Sequence, residues 1–150
     1  MRILLFMGLL LAPFMLLAQS PVSVVPQPDL VTPESGVFTL RPTAKIVVLP
    51  SRNKRGKEIA VFLRDWLNQQ MGLKTSLQTG STVPTGAIVL ALERHDDITH
   101  TEGYELRVRK DQIRISAFEE KGLFWGVQTL RQLFPATTEG AKPTQKSPVT

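Results

Sequence analysis

The sequence contains no cysteine and only two histidines among its 150 residues. Without cysteine the chain cannot form a disulfide scaffold, a thiolate zinc site, an iron–sulfur cluster or a cysteine nucleophile. Two histidines argue against a histidine-rich metal centre. The composition is otherwise that of a folded protein, with 42% hydrophobic and 21% charged residues, which excludes a wholly disordered or collagen-like chain.

Recognisable catalytic motifs are also missing. No segment matches the G-x-S-x-G of serine hydrolases or the glycine-rich loops that bind phosphates. His95 and His100 are five residues apart, whereas a helical zinc pair needs a spacing of four with a glutamate between. The adjacent acids Asp96-Asp97 and Glu119-Glu120 are interpreted as solvated groups, in a polar loop and in the first turn of a helix. We therefore predict no catalytic, metal-binding or cofactor-binding residue, and no cofactor, in this chain.

Positive charge is in modest excess, with a formal net charge of +5. Its one local concentration is Arg52-Asn53-Lys54-Arg55-Gly56-Lys57, directly before a predicted helix. That cluster contains no aromatic residue that could stack on a base, so we interpret it as a solvated loop and helix start. No nucleic-acid partner is expected.

Residues 1–18 have the pattern of a secretory signal peptide: a positive charge at Arg2, an apolar run and a small residue at Ala18. The apolar run is about 15 residues long, short of the roughly 20 that a membrane-spanning helix needs. A membrane anchor is the alternative. We predict an exported protein, periplasmic or extracellular, whose mature chain begins near Gln19 or Pro21 and has no membrane contact after cleavage.

The mature chain divides into three parts by composition. Residues 19–35 are rich in proline and predict an extended lead-in, because proline fixes φ and removes a hydrogen-bond donor. Residues 36–135 carry the periodic patterns of strands and helices. Residues 136–150 are polar, with glycine and proline, and are typical of a linker.

A first helix is predicted over Lys54–Met71. Its apolar stripe has helical spacing, is expected to be buried in the core, and consists of Ile59, Phe62, Leu63, Trp66 and Leu67. Asn53 or Ser51 can cap its N-terminus, and Gly72 can adopt the left-handed conformation that ends a helix.

Six strands are predicted around this helix, at residues 37–41, 44–49, 74–78, 87–92, 104–109 and 112–117. Residues 87–92 are apolar on both faces, which favours a central strand covered on two sides. Lys110-Asp111 joins the last two strands as a hairpin. These two strands alternate strictly, so one of their faces is expected to pack and the other to meet water or another domain.

A second helix is predicted over residues 119–134, and Leu123, Val127, Leu130 and Phe134 form its apolar stripe. Gly122 and Gly126 thin one side of it and allow a close approach, either to the sheet or to a neighbouring domain. Tyr104 and Trp125 are interpreted as core residues, with stacking on sugar rings as the alternative.

The order of elements predicts an α+β fold, with a mixed or mainly antiparallel sheet and two helices packed on one face. Five segments carry a resemblance to a known family: Val25–Pro28, Gly36–Leu40, Gly103–Val108, Ile113–Ala117 and the run G-L-F-W-G-V-Q-T-L-R-Q-L at Gly122–Leu133. Together, over about Val24 to Pro135, the chain resembles the N-terminal, non-catalytic domain of family 20 glycoside hydrolases, the β-N-acetylhexosaminidases.

The resemblance implies a zincin-like fold without zinc that packs against a following (β/α)₈ barrel in the same chain. The barrel of that family carries an adjacent Asp-Glu pair: the glutamate is the general acid, and the aspartate orients the substrate's own 2-acetamido oxygen as nucleophile. No Asp-Glu dipeptide occurs in these 150 residues. We therefore expect a support domain whose glycan substrate binds to the barrel. The alternatives are a stand-alone carbohydrate-associated or protein-interaction module, and the N-terminal domain of another barrel glycosidase.

Overall fold

The computed structural model describes residues 24–78 and 80–134 and the backbone of residues 148–149. In chain order the elements are β1 (Phe38–Thr39), β2 (Lys45–Leu49), α1 (Lys54–Met71), β3 (Ser76–Gln78), β4 (Ala87–Leu92), β5 (Tyr104–Val108), β6 (Gln112–Ala117), α2 (Glu120–Leu133) and β7 (Pro148–Val149). The expected signal segment, residues 1–18, and most of the expected linker lie outside the described residues.

A five-stranded sheet in the order β3-β2-β4-β6-β5 forms the centre of the fold. Three of its four strand pairings are parallel, and only β5–β6 is antiparallel. The mixed α+β architecture is confirmed, while the mainly antiparallel variant of the prediction is not what the structure shows. The reason is that α1 carries the chain back across the sheet between β2 and β3, which makes those two neighbours parallel. A separate pairing, β1 with β7, is antiparallel.

Helix α1 has the predicted bounds because local signals define both of its ends. The side chain of Asn53 accepts a hydrogen bond from the backbone amide of Gly56 at 2.9 Å. At the other end Gly72 has φ of 63°, the left-handed conformation that glycine adopts at low cost. The buried side of α1 consists of Gly56, Ile59, Ala60, Leu63, Leu67 and Met71.

The prediction that Phe62 belongs to the buried stripe of α1 is wrong. Its side chain is 40% exposed, and Trp66 is half-buried. Both residues lie at the edge of the apolar stripe of α1. Phe62 contacts Phe124 of α2, and Trp66 contacts Phe134, directly after α2. The sheet therefore covers only part of the apolar stripe of α1.

Strand β4 is central, as its apolar character predicts, and Ala87–Ala91 are fully buried. Its alternate residues belong to two different cores. Ile88 and Leu90 join the large core that the sheet forms with both helices, so the two helices pack on one face as predicted. Val89, with Val47, belongs to a smaller cluster on the opposite face.

The last two strands and α2 complete the layer. The β5–β6 hairpin is confirmed; regular pairing ends at Val108, and Arg109 donates a backbone hydrogen bond to Gln112 at 2.9 Å. Helix α2 starts and ends one residue inside the predicted bounds, and Glu119 precedes it without a side-chain cap. In the described part of the chain, neither helix has the length and apolarity needed to cross a membrane.

Candidate docking surface

The glycine-lined side of α2 packs on the sheet. A Cβ atom on Gly122 would overlap the carbonyl oxygen of Gly103 and come within 2.8 Å of the Ala117 Cβ. A Cβ on Gly126 would overlap Ile115 Cγ2. Of the two interpretations of these glycines, close approach to the sheet is therefore confirmed. The alternative, a glycine-lined docking face for another domain, is wrong because that face is already occupied.

Tyr104 and Trp125 lie on opposite sides of α2. The ring of Tyr104 packs beneath Gly126, and its hydroxyl shares a hydrogen bond with the buried Thr129, which confirms its core role. Trp125 points away from the sheet and is 43% exposed, so its assignment to the core is wrong. The same helix thus presents a packed inner side and an exposed aromatic outer side.

Five aromatic side chains lie along α1 and α2, and together we call them the aromatic row: Phe62, Trp66, Phe124, Trp125 and Phe134. Their rings form two groups in contact, one of Phe62, Phe124 and Trp125 and the other of Trp66 and Phe134. The ring centroids are 5.5 Å apart for Phe124 and Trp125, 6.1 Å for Phe62 and Phe124, and 5.7 Å for Trp66 and Phe134. Phe62 contacts Phe124, and Trp66, one turn later in α1, contacts Phe134, which is also later in the chain. The two helices therefore run parallel.

Arg131 lies over this row. Its guanidinium carbon is 5.2 Å from the ring centroid of Phe62 and 5.0 Å from that of Trp66, within the range of a cation–π interaction. Its Nη1 donates to the side-chain oxygen of Gln128 at 2.8 Å. The row and this arginine make one surface, which we call the docking surface.

The exposed part of the docking surface is unusually apolar. Phe62, Phe124 and Trp125 are each exposed by about two-fifths, and they lie side by side. Single exposed apolar residues are ordinary on protein surfaces, but contiguous large ones mark sites where another surface binds. Aromatic rings with an arginine among them are the side chains most enriched in the energetic centres of protein interfaces.

The two histidines singled out in the sequence do not come together in a metal site. His95 lies between Asp97 and Glu105, with nitrogen–oxygen distances of 3.6 and 3.7 Å. His100 is exposed elsewhere in the same loop, and Asp97 is 92% exposed. Among the described residues, no group of three or more histidine, aspartate or glutamate side chains is placed to hold a metal ion.

Four charged side chains and one serine lie on the sheet face opposite the helices, and we call them the ionic cluster: Glu93, Arg114, Ser116, Glu105 and Arg107. Arg114 donates to both carboxylate oxygens of Glu93, at 3.1 and 2.6 Å, and the Ser116 hydroxyl donates to the same carboxylate. The hydrogen bond from Arg114, followed by that from Ser116, holds the pKa of Glu93 below its usual value. This geometry is that of a structural ion pair.

The basic segment before α1 has the predicted solvated character. Arg52, Lys54, Arg55 and Lys57 are exposed, and Arg55 pairs with Glu58 one turn later at 2.9 Å. Asn53 is used as the helix cap, and Gly56 packs on Val48. The segment is accounted for by the start of the helix.

Comparison with known proteins connects this geometry to one family. The family model of glycosyl hydrolase family 20, domain 2, matches residues 21–146. A β-hexosaminidase of Porphyromonas gingivalis is 28% identical over 120 residues, which are 80% of this chain and 15% of that protein.

Two solved structures are similar in sequence and in shape. The family 20 β-N-acetylhexosaminidase of Streptomyces coelicolor A3(2) superposes with a TM-score of 0.71 and 28% identity, over 85% of this chain and 25% of that one. A mutant β-hexosaminidase of Streptomyces plicatus, in complex with its product GlcNAc, has a TM-score of 0.68 and 29% identity, over 77% of this chain and 22% of that one. The chain thus spans a quarter or less of the length of these relatives.

Proposed function

Because the chain belongs to domain 2 of glycosyl hydrolase family 20, we propose that it is the N-terminal support domain of an exported β-N-acetylhexosaminidase. The parent enzyme hydrolyses terminal, non-reducing N-acetylhexosamine residues. The catalytic groups and the glycan-binding site lie in a barrel domain of the same chain. The names of the relatives and the small share of their length that this chain spans support the proposal.

The support role is carried by the docking surface. The fold has filled the inner sides of both helices with its own sheet, but it leaves Phe62, Phe124 and Trp125 of the aromatic row exposed on the outer side. Removing such rings from water is favourable by about 25 cal/mol per Å² of apolar area buried. A second domain seated there would gain this energy and would be held at a fixed angle to the sheet.

Export is supported by the pattern of residues 1–18, which has the charge, apolar run and small terminal residue of a signal peptide. The mature protein is therefore expected to begin near Gln19 or Pro21. Mass determination of the N-terminal peptide from the exported protein tests this, and retention of Met1 would contradict it.

The docking role is tested in the full-length chain with the double variant Phe124→Ser, Trp125→Ser. Replacing each ring is expected to lower the stability of the docked protein by about 1–2 kcal/mol. The loss is no larger because both rings are already partly covered within the domain. We expect a lower thermal unfolding midpoint and easier protease separation of the two domains. The initial rate on a chromogenic N-acetyl-β-D-glucosaminide should change little, because the proposal places the catalytic groups in the barrel domain and not at these two rings.

Val37→Ser is the matched control, since Val37 is an exposed apolar residue of similar accessibility outside the docking surface. It should leave the midpoint and the protease pattern unchanged. Equal behaviour of the double variant and this control would argue against docking. If the double variant instead lost binding to N-acetylglucosamine oligomers while keeping its stability, the alternative of a sugar-stacking module would be favoured.

A further inference from the structure

Arg131 is a permanent charge without an acidic partner in the described part of the chain. None of the ion pairs found among residues 24–78 and 80–134 includes it. Its guanidinium donates to the neutral side chain of Gln128, and its buried Nε finds no acceptor among the same residues.

The surroundings of Arg131 hold its planar group in a defined place. The rings of Phe62 and Trp66 both lie about 5 Å from the guanidinium carbon, one on each neighbouring turn of α1. A stacked guanidinium loses less freedom when it binds than an unsupported one, because its fork of donors is already oriented. That fork matches a carboxylate, which can accept two parallel hydrogen bonds from it.

We propose that Arg131 is the polar anchor of the docking surface, and that it pairs with a carboxylate on the catalytic domain. This inference rests on the proposed function, since the occupant is the domain that follows in the same chain. Charge complementarity argues for an acidic rather than a basic or purely apolar contact. The apolar rings around Arg131 would exclude water from the pair, as rim residues do around the strong contacts of other interfaces.

The salt dependence of domain docking tests the anchor. In the full-length chain, the unfolding midpoint of the parent should fall as sodium chloride is raised, because screening weakens the pair. The Arg131→Met variant keeps an apolar stem over the rings but removes the charge. It should have a lower midpoint than the parent at low salt and a clearly weaker salt dependence. Arg55→Met, which removes an exposed arginine paired with Glu58, is the matched control.

A crosslink identifies the partner. Carbodiimide joins an amine directly to a carboxylate in contact with it, so the Arg131→Lys variant should give a peptide linked from position 131 to an aspartate or glutamate beyond residue 150. The Arg55→Lys variant should link to Glu58 and is the positive control, while native Lys121, exposed on the same helix, reports non-specific coupling.

The salt experiment decides the outcome. Unchanged salt dependence in Arg131→Met overturns the anchor, whether or not the midpoint falls and whether or not a crosslink forms. If Phe124→Ser, Trp125→Ser still weakens docking in that case, the docking surface stands and only the anchor fails. If neither variant affects the separation of the domains, the proposed docking role itself fails.

Discussion

The two faces of the sheet are stabilised by different physical means. The face under the helices is filled by large aliphatic residues and admits α2 only because Gly122 and Gly126 let the helix approach closely. The opposite face has a centre of small apolar residues, with the ionic cluster beside it. The first face depends on shape, the second partly on charge. A change of volume should therefore damage the first face most, and a change of pH should act on the second.

Of the changes to the two sheet faces, the largest effect is expected from Gly122→Ala. In the interior of an ordinary helix this change would stabilise by about 0.5–1 kcal/mol, because glycine loses more freedom on folding. Here the new methyl group would overlap a backbone oxygen, that of Gly103, which has no rotamer to escape into. We expect a net loss of about 2 kcal/mol, measured as a lower denaturation midpoint of the full chain.

Lys121→Ala is the matched control for that variant. It changes the neighbouring residue of the same helix turn, which is exposed, and should alter the stability by less than about 0.5 kcal/mol. A Gly122→Ala protein as stable as the parent would show that α2 can move away from the sheet at no cost. The stability of the sheet face under the helices would then not depend on close packing at Gly122.

The sequence was sufficient where local chemistry decides the structure. Both ends of α1 follow from a side-chain cap and a left-handed glycine, and β4 is central because residues 87–92 are apolar on both faces. The strand pairing could not be obtained in this way. Whether β2 lies parallel to β3 and β4 depends on how the chain crosses the sheet, which no residue within those strands specifies.

The docking surface was missed because periodicity shows that a helix side is apolar, not what covers it. Phe62 has the spacing of a core residue in α1, and Trp125 belongs to a run of large apolar residues, yet both are exposed. One signal was present in α2: Phe124, Gln128 and Arg131 are spaced four and three residues apart and so share one helix side. An arginine on the same side as an exposed ring is compatible with a surface that binds another surface.

A smaller effect, but one that varies with pH, is expected from Glu93→Gln on the ionic face. The hydrogen bond from Arg114 lowers the pKa of Glu93 in the folded protein. A lowered folded pKa contributes stability above the unfolded value, and this contribution is lost as the pH falls through the folded value. The parent should therefore exceed the variant in stability near neutral pH, by about 0.5 kcal/mol after allowance for solvent screening. The difference should shrink on acidification below about pH 4.

The double variant Glu93→Gln, Arg114→Gln separates the ion pair from other effects of the substitution. If the pair is the cause, Glu93→Gln should have little further effect, at any pH, in a protein that already carries Arg114→Gln. Denaturant midpoints of the four proteins at about pH 7 and about pH 3 complete the cycle. A stability difference between parent and Glu93→Gln that is the same at both pH values would mean that the ionic face is held by packing, like the face beneath the helices.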